Sequence, residues 1–114
     1  MPSEQENNMI MQAQTYKQQM QNILMQKEAL SIQSVELKRA VEEIDKTTEK
    51  EVYKISGTII VKSPKDAVKK DILEKISSTD AMLKTLESSE KKIKAKMEEL
   101  RGKFSKASKG AESD

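Results

Sequence analysis

The chain contains no cysteine, no histidine and no tryptophan. Without Cys there are no disulfides and no thiolate chemistry, and without His neither a zinc finger nor an imidazole base can be built. Aromatic residues are scarce as well: Tyr16, Tyr53 and Phe104 are the whole set, at 3%. Hydrophobic residues reach only 35% of 114 positions, and charged residues also reach 35%. A compact globule needs more apolar bulk than that to offset its conformational entropy. The composition leaves either a disordered chain or an elongated helical protein whose core is a thin seam. Three glycines and two prolines leave little material for turns or a phosphate-cradling loop. Gly57 followed by Lys62-Ser63 ends like a P-loop, yet lacks the glycine before the lysine. No apolar run approaches a membrane span, and the opening MPSEQENNMIMQ is polar with no hydrophobic signal region. The expectation is a soluble, cytoplasmic protein. Lys and Arg number 21 against 19 Asp and Glu, a net +2, with the signs interspersed. That mixture excludes a one-sided basic stripe for nucleic acid and a polybasic membrane anchor. No cofactor, no metal and no enzymatic activity are expected.

What the chain does contain is heptad spacing. Met9, Ala13, Tyr16, Met20, Ile23, Lys27, Leu30, Ser34, Leu37, Val41 and Ile44 advance in alternating steps of four and three. A second series runs Ile72, Ile76, Thr79, Leu83, Leu86, Glu90, Ile93, Met97, Leu100 and Phe104. Each is a sustained coiled-coil seam, so helices are predicted over 9–46 and 64–104, each roughly 50–60 Å long. Acidic residues four places before lysines add support: Glu42 to Lys46, Asp71 to Lys75, Glu87 to Lys91, Glu90 to Lys94 and Glu99 to Lys103. Residues 1–8 and 105–114 are polar or basic and are expected to fray as flexible ends.

Between the seams the period changes. Val52-Tyr53-Lys54-Ile55-Ser56 and Ile59-Ile60-Val61-Lys62 flank Gly57-Thr58 and predict a tight β-hairpin over 52–62. Ser63-Pro64-Lys65-Asp66 then reads as a helix start, with Ser63 as N-cap and Pro64 at the first helical position. The expected fold is therefore mainly α: a long antiparallel coiled-coil helical hairpin with a β-hairpin inserted between its two helices.

If Ile44 faces Ile72 across that pairing, Lys27 falls close to Glu90, so the two charged exceptions meet and fix the register. The alternative is that both side chains snorkel outward. The hairpin poses a different problem, because an isolated two-stranded ribbon is marginal in water. Three consecutive apolar residues, Ile59, Ile60 and Val61, leave strand two apolar on both faces. The ribbon either folds onto the neck of its own coiled coil or joins ribbons from other chains, and the second covers more of it. Val52, Tyr53, Ile55, Gly57, Ile59, Ile60 and Val61 are thus the candidate assembly residues.

The run VYKISGTIIVKSPKDAV between two heptad arms resembles the prefoldin family, in particular its β-class subunits of the archaeal kind. The specific part is Val52, Tyr53, Lys54, Gly57, Thr58, Ile60, Val61 and Lys62, and the resemblance extends from about Met9 to Phe104. It implies a hexamer of two α-class and four β-class subunits, in which hairpins form a double β-barrel body and coiled coils hang from it. It further implies an ATP-independent chaperone that holds unfolded polypeptides between the coiled-coil tips and delivers them to a group II chaperonin. The arms contain residues suited to that task. Ile10, Met11, Leu24 and Met25 fall outside the seam and should stay partly exposed. Met9, Met20, Met97, Leu100 and Phe104 lie on the seam but in the same half of the arms. Flexible, polarisable methionines suit surfaces that accept unlike partners; they equally suit plugging a loose seam. The basic tail with Lys103, Lys106 and Lys109 could meet a chaperonin rim or acidic clients, or simply be solvated. The competing function is a structural coiled-coil adaptor, or a homo-oligomeric, filament-forming relative.

Overall fold

A computed structural model describes residues 3–112, with side chains to residue 107. The element order is α1 (Glu4–Lys46), β1 (Glu51–Ser56), β2 (Ile59–Pro64) and α2 (Lys65–Glu112). Two compact units share these elements: one built from the described parts of 1–27 and 85–114, the other from 28–84.

In both units the heptad stripe is the buried stripe. Met9, Ser34 and Ile44 on α1 and Thr79, Ile93 and Leu100 on α2 are buried, and most other seam residues are half-buried. Ala13 and Phe104 are the exceptions and stay exposed. The seam also continues one step beyond its expected start, to Val68 at 9% exposure, four residues before Ile72. The core is thus a single line of side chains, too narrow for any large residue to be fully enclosed. Among the described residues only Thr79 falls to 2% exposure.

Both helices outrun the seam that predicts them. Residues 4–8 are helical because Ser3 caps them: its Oγ accepts the Glu6 N–H at 3.1 Å and its carbonyl accepts the Asn7 N–H at 2.9 Å. At the other end α2 runs through Gly102 to Glu112. Adding residues to an existing helix costs little, and one glycine costs about 1 kcal/mol without ending it. Within the ends expected to fray, 1–8 and 105–114, residues 4–8, capped by Ser3, and residues 105–112 are helical, while residues 1, 2, 113 and 114 lie outside the described ones.

The hairpin is tighter and longer than its apolar letters suggest. Pairing runs in register from Glu51 opposite Pro64 to Ser56 opposite Ile59, leaving Gly57-Thr58 as a two-residue turn. Gly57 has φ +61°, and no other described residue is left-handed. A left-handed residue at the first central position alone is the type II′ pattern, which matches strand twist and favours glycine. Pro64 ends β2 rather than opening α2, so the expected Ser63 cap is not made. Instead the Lys65 N–H donates to the Lys50 carbonyl at 2.8 Å, and Lys65 Nζ donates to the Thr47 carbonyl at 2.9 Å. The first residue of α2 thereby satisfies a carbonyl just past the end of α1.

Of the five expected i,i+4 ion pairs, Glu90 with Lys94 and Glu99 with Lys103 form, at 3.3 and 3.4 Å. Lys46 turns to Glu43 instead, and Asp71 turns to Lys54 of the hairpin.

Candidate functional site: an apolar ribbon face and a groove at the helix ends

Strand pairing sorts the hairpin side chains onto two faces. Val52, Lys54, Ser56, Ile59, Val61 and Ser63 share one face; Glu51, Tyr53, Ile55, Ile60, Lys62 and Pro64 share the other. The first face is the one anchored to the helices. Lys54 Nζ lies 3.8 Å from Asp71 Oδ2, and Val52 and Ser63 are half-buried. The second is bare. Tyr53, Ile55 and Ile60 are 72%, 77% and 69% exposed, bordered by a Lys62–Glu51 pair at 3.9 Å. Three large apolar side chains side by side on a two-stranded ribbon form a sticky face with an open edge. Ile59 at 59% and Val61 at 40% extend the apolar surface around the ribbon. Spacing alone could not distinguish these faces, because the consecutive Ile59, Ile60 and Val61 put apolar side chains on both sides of β2 and register decides which of them joins Tyr53 and Ile55.

In the other unit, the first turns of α1 and the last turns of α2 enclose an apolar groove of about 450 Å³. Five expected holding residues line it: Met9, Ile10, Met97, Leu100 and Phe104. Met9 and Leu100 are buried in its floor, at 7% and 8% exposure, while Ile10 and Phe104 stand more open. The groove has a sequence cause. Ala13 is the smallest residue in the α1 seam and lines the groove while remaining exposed, so the interface that a larger side chain would fill stays open. Gln14, Lys17, Glu98 and Arg101 complete the lining and were not anticipated; the small seam residue is the signal that could have found them. Met11, Leu24, Met25 and Met20 do not line the groove. The first three are exposed on the surface of α1, and Met20 is half-buried in the seam.

Also in this unit, Lys27 Nζ donates to Glu90 Oε2 at 2.7 Å, and Lys94 adds a second contact to Glu90 Oε1 at 3.3 Å. Neither side chain snorkels away. The hydrogen bond to Glu90 raises the Lys27 ammonium above its ordinary value, against partial desolvation. The bonds from Lys27 and then Lys94 hold the Glu90 carboxyl below its ordinary value. The two uncharged polar seam positions, Ser34 and Thr79, are buried in the unit that contains the hairpin, where Ser34 Oγ donates to Asp80 Oδ1 at 3.2 Å. No buried side-chain nitrogen or oxygen among the described residues lacks a hydrogen-bond partner. Among the same residues there is no cluster of metal-binding side chains, and no helix is long and apolar enough to cross a membrane.

Comparison with known proteins bears on what these surfaces do. A family model described as prefoldin subunit matches residues 7–111. The prefoldin subunit beta of Thermococcus onnurineus is 38% identical over 100 residues, covering 87% of this chain and 86% of that protein. That of Methanospirillum hungatei is 36% identical over 94 residues, covering 82% and 78%. The crystal structure of the prefoldin beta subunit from Thermococcus strain KS-1 superposes with a TM-score of 0.85 at 35% identity, over 92% of this chain and 93% of that one.

Proposed function

The chain belongs to the prefoldin family, among its β subunits, and from that premise we propose that it is an ATP-independent holdase subunit with two working surfaces. Chaperone-type function and assembly with other prefoldin subunits follow from the family. The finer reading assigns the bare ribbon face to assembly and the helix ends to capture of non-native polypeptides. Tyr53, Ile55 and Ile60 join hairpins of other copies and of α-class subunits, two α with four β. The captured chain is handed on to a group II chaperonin in the cytoplasm.

The observation that carries the capture reading is the groove at the helix ends. A non-native chain is recognised by apolar side chains it has not yet buried, in no fixed order. An open cleft floored by Met9, Leu100 and Met97 accepts such side chains one at a time. Met11 and Met25, 65% and 69% exposed, extend the same flexible thioether chemistry along α1. Lys17, Glu98 and Arg101 at the groove supply both charge signs, so neither acidic nor basic clients are repelled. Holding needs no nucleotide on this scheme, because affinity comes from reversible burial of a modest apolar area.

Aggregation suppression by the assembled protein tests the assignment. Replacing Ile10, Met11, Leu24 and Met25 by Ser is expected to weaken holding of several unrelated clients by about tenfold, at unchanged particle size. Undiminished suppression would remove these α1 residues from the capture surface and leave the groove alone to carry it. A specific adaptor would fail differently, protecting one partner and no others.

A further inference from the structure

Helix α1 has a second stripe that α2 leaves bare. Ile32 and Val35 are 54% and 60% exposed, and with Ser31, Glu36 and Arg39 they line a shallow groove of about 370 Å³. At 100° per residue, Glu28, Ile32, Val35 and Arg39 fall within about 60° of one another, on the side of α1 roughly opposite its seam. Both charges are exposed, and neither enters an ion pair among the described residues.

The steps from Glu28 to Arg39 are four, three and four, the spacing of a coiled-coil seam. They are also self-complementary in one direction only. Around a two-fold axis between Ile32 and Val35, each Ile32 meets Val35 of a second copy, and each Glu28 meets its Arg39. A parallel pairing instead sets Glu28 against Glu28 and Arg39 against Arg39, which is repulsive at both ends. Charge therefore selects both the occupant and its orientation.

We infer that the Glu28–Ile32–Val35–Arg39 stripe docks a second copy of this chain, α1 against α1, antiparallel. Four aliphatic side chains and two ion pairs make a contact below the standard interface size, so the association is weak and reversible. It differs from the hairpin contact in surface, and its success or failure is independent of that reading.

Cross-linking separates the orientations. The chain has no cysteine, so Glu28→Cys and Arg39→Cys each introduce a single thiol. Both are placed in an Ile60→Lys background, whose own sedimentation reports separately on the hairpin. Mild oxidation of the two variants mixed, one tagged for mass, should yield mixed dimers at least about tenfold over either homodimer, since residues 28 of two antiparallel helices lie roughly 16 Å apart along the axis. Homodimers in equal yield, or no cross-link at all, overturn the inference. Charge reversal is the second arm. Glu28→Arg or Arg39→Glu should weaken concentration-dependent association about tenfold, and the double reversal should restore it. A double variant that remains dissociated overturns the inference. So does an Ile32→Ser/Val35→Ser variant that loses client holding while self-association stays unchanged.

Discussion

The most informative residues in this chain are the ones that break its pattern. Lys27 and Glu90 interrupt two apolar seams and meet each other at 2.7 Å. The Glu90 carboxyl lies below its ordinary 4.5, so its share of stability is present above that value and lost as pH falls through the depressed one. The Lys27 ammonium lies above its ordinary 10.5, so its share is present below that value and lost as pH rises through the raised one. The pair is therefore fully effective between 4.5 and 10.5. Thermal melts of the natural chain and a Lys27→Met/Glu90→Leu variant should differ by a constant amount inside that window. The difference should move against the natural chain at pH 3, and a flat difference down to pH 2 would mean the pair contributes nothing. At neutral pH, Lys27→Glu or Glu90→Lys alone should lower the melting temperature by a few degrees, and the double reversal should recover most of it. Elsewhere on the seam burial is the larger effect: Ile93→Ala, at a 9% exposed site, is expected to cost about 2 kcal/mol in denaturant unfolding, the low end for such truncations because the thin core can partly collapse.

For the elements, the β-hairpin is the one whose shape is dictated by a single residue. Gly57 has φ +61°, and no atom lies within 4 Å of the point where a side chain would begin. Substitution there is limited by backbone conformation and not by crowding. Gly57→Val should cost about 1–2 kcal/mol of hairpin stability through that backbone conformation alone. The loss should read out as reduced assembly at low concentration, with helicity by circular dichroism unchanged. Ile60→Lys acts on the outcome and not on the turn. It places a charge on the bare face, directly across from Ile55 and diagonal to Tyr53, and should raise the concentration needed for assembly at least about tenfold. Full assembly size at the original concentration would show that another surface joins the subunits. The helices were legible in outline because the heptad period repeats many times. Their ends were not, since Ser3 and the Lys65 to Lys50 hydrogen bond depend on backbone geometry that no periodicity encodes.

At the level of the whole molecule, assembly and holding are assigned to different units, the ribbon face within 28–84 and the groove within the other. Substitutions in the two should then behave additively. Ala13→Leu supplies the sharpest version. Filling the groove should weaken client holding several-fold while slightly raising the melting temperature, because the added methyls replace an open space in the seam. Unchanged holding with a stabilised chain would leave the exposed methionines of α1 as the capture surface and the groove as a packing defect.

Composition and period together determined a great deal here. The absence of Cys and His, the thin apolar content and two long heptads leave little besides a helical hairpin around a ribbon, because a 3.5-residue repeat sustained over ten positions can be satisfied by only one kind of packing. The meeting of Lys27 and Glu90 follows from the spacing only once Ile44 is set opposite Ile72, and the fold decided it over outward snorkelling. Three things were decided only in three dimensions. Which ribbon side chains share the bare face depends on register; whether Ala13 closes the seam depends on the shape of its neighbours; and whether the chain ends join the helices depends on caps. All three turn on which atoms lie next to one another across the fold, and a one-dimensional pattern specifies which side of an element a residue occupies without specifying what stands opposite.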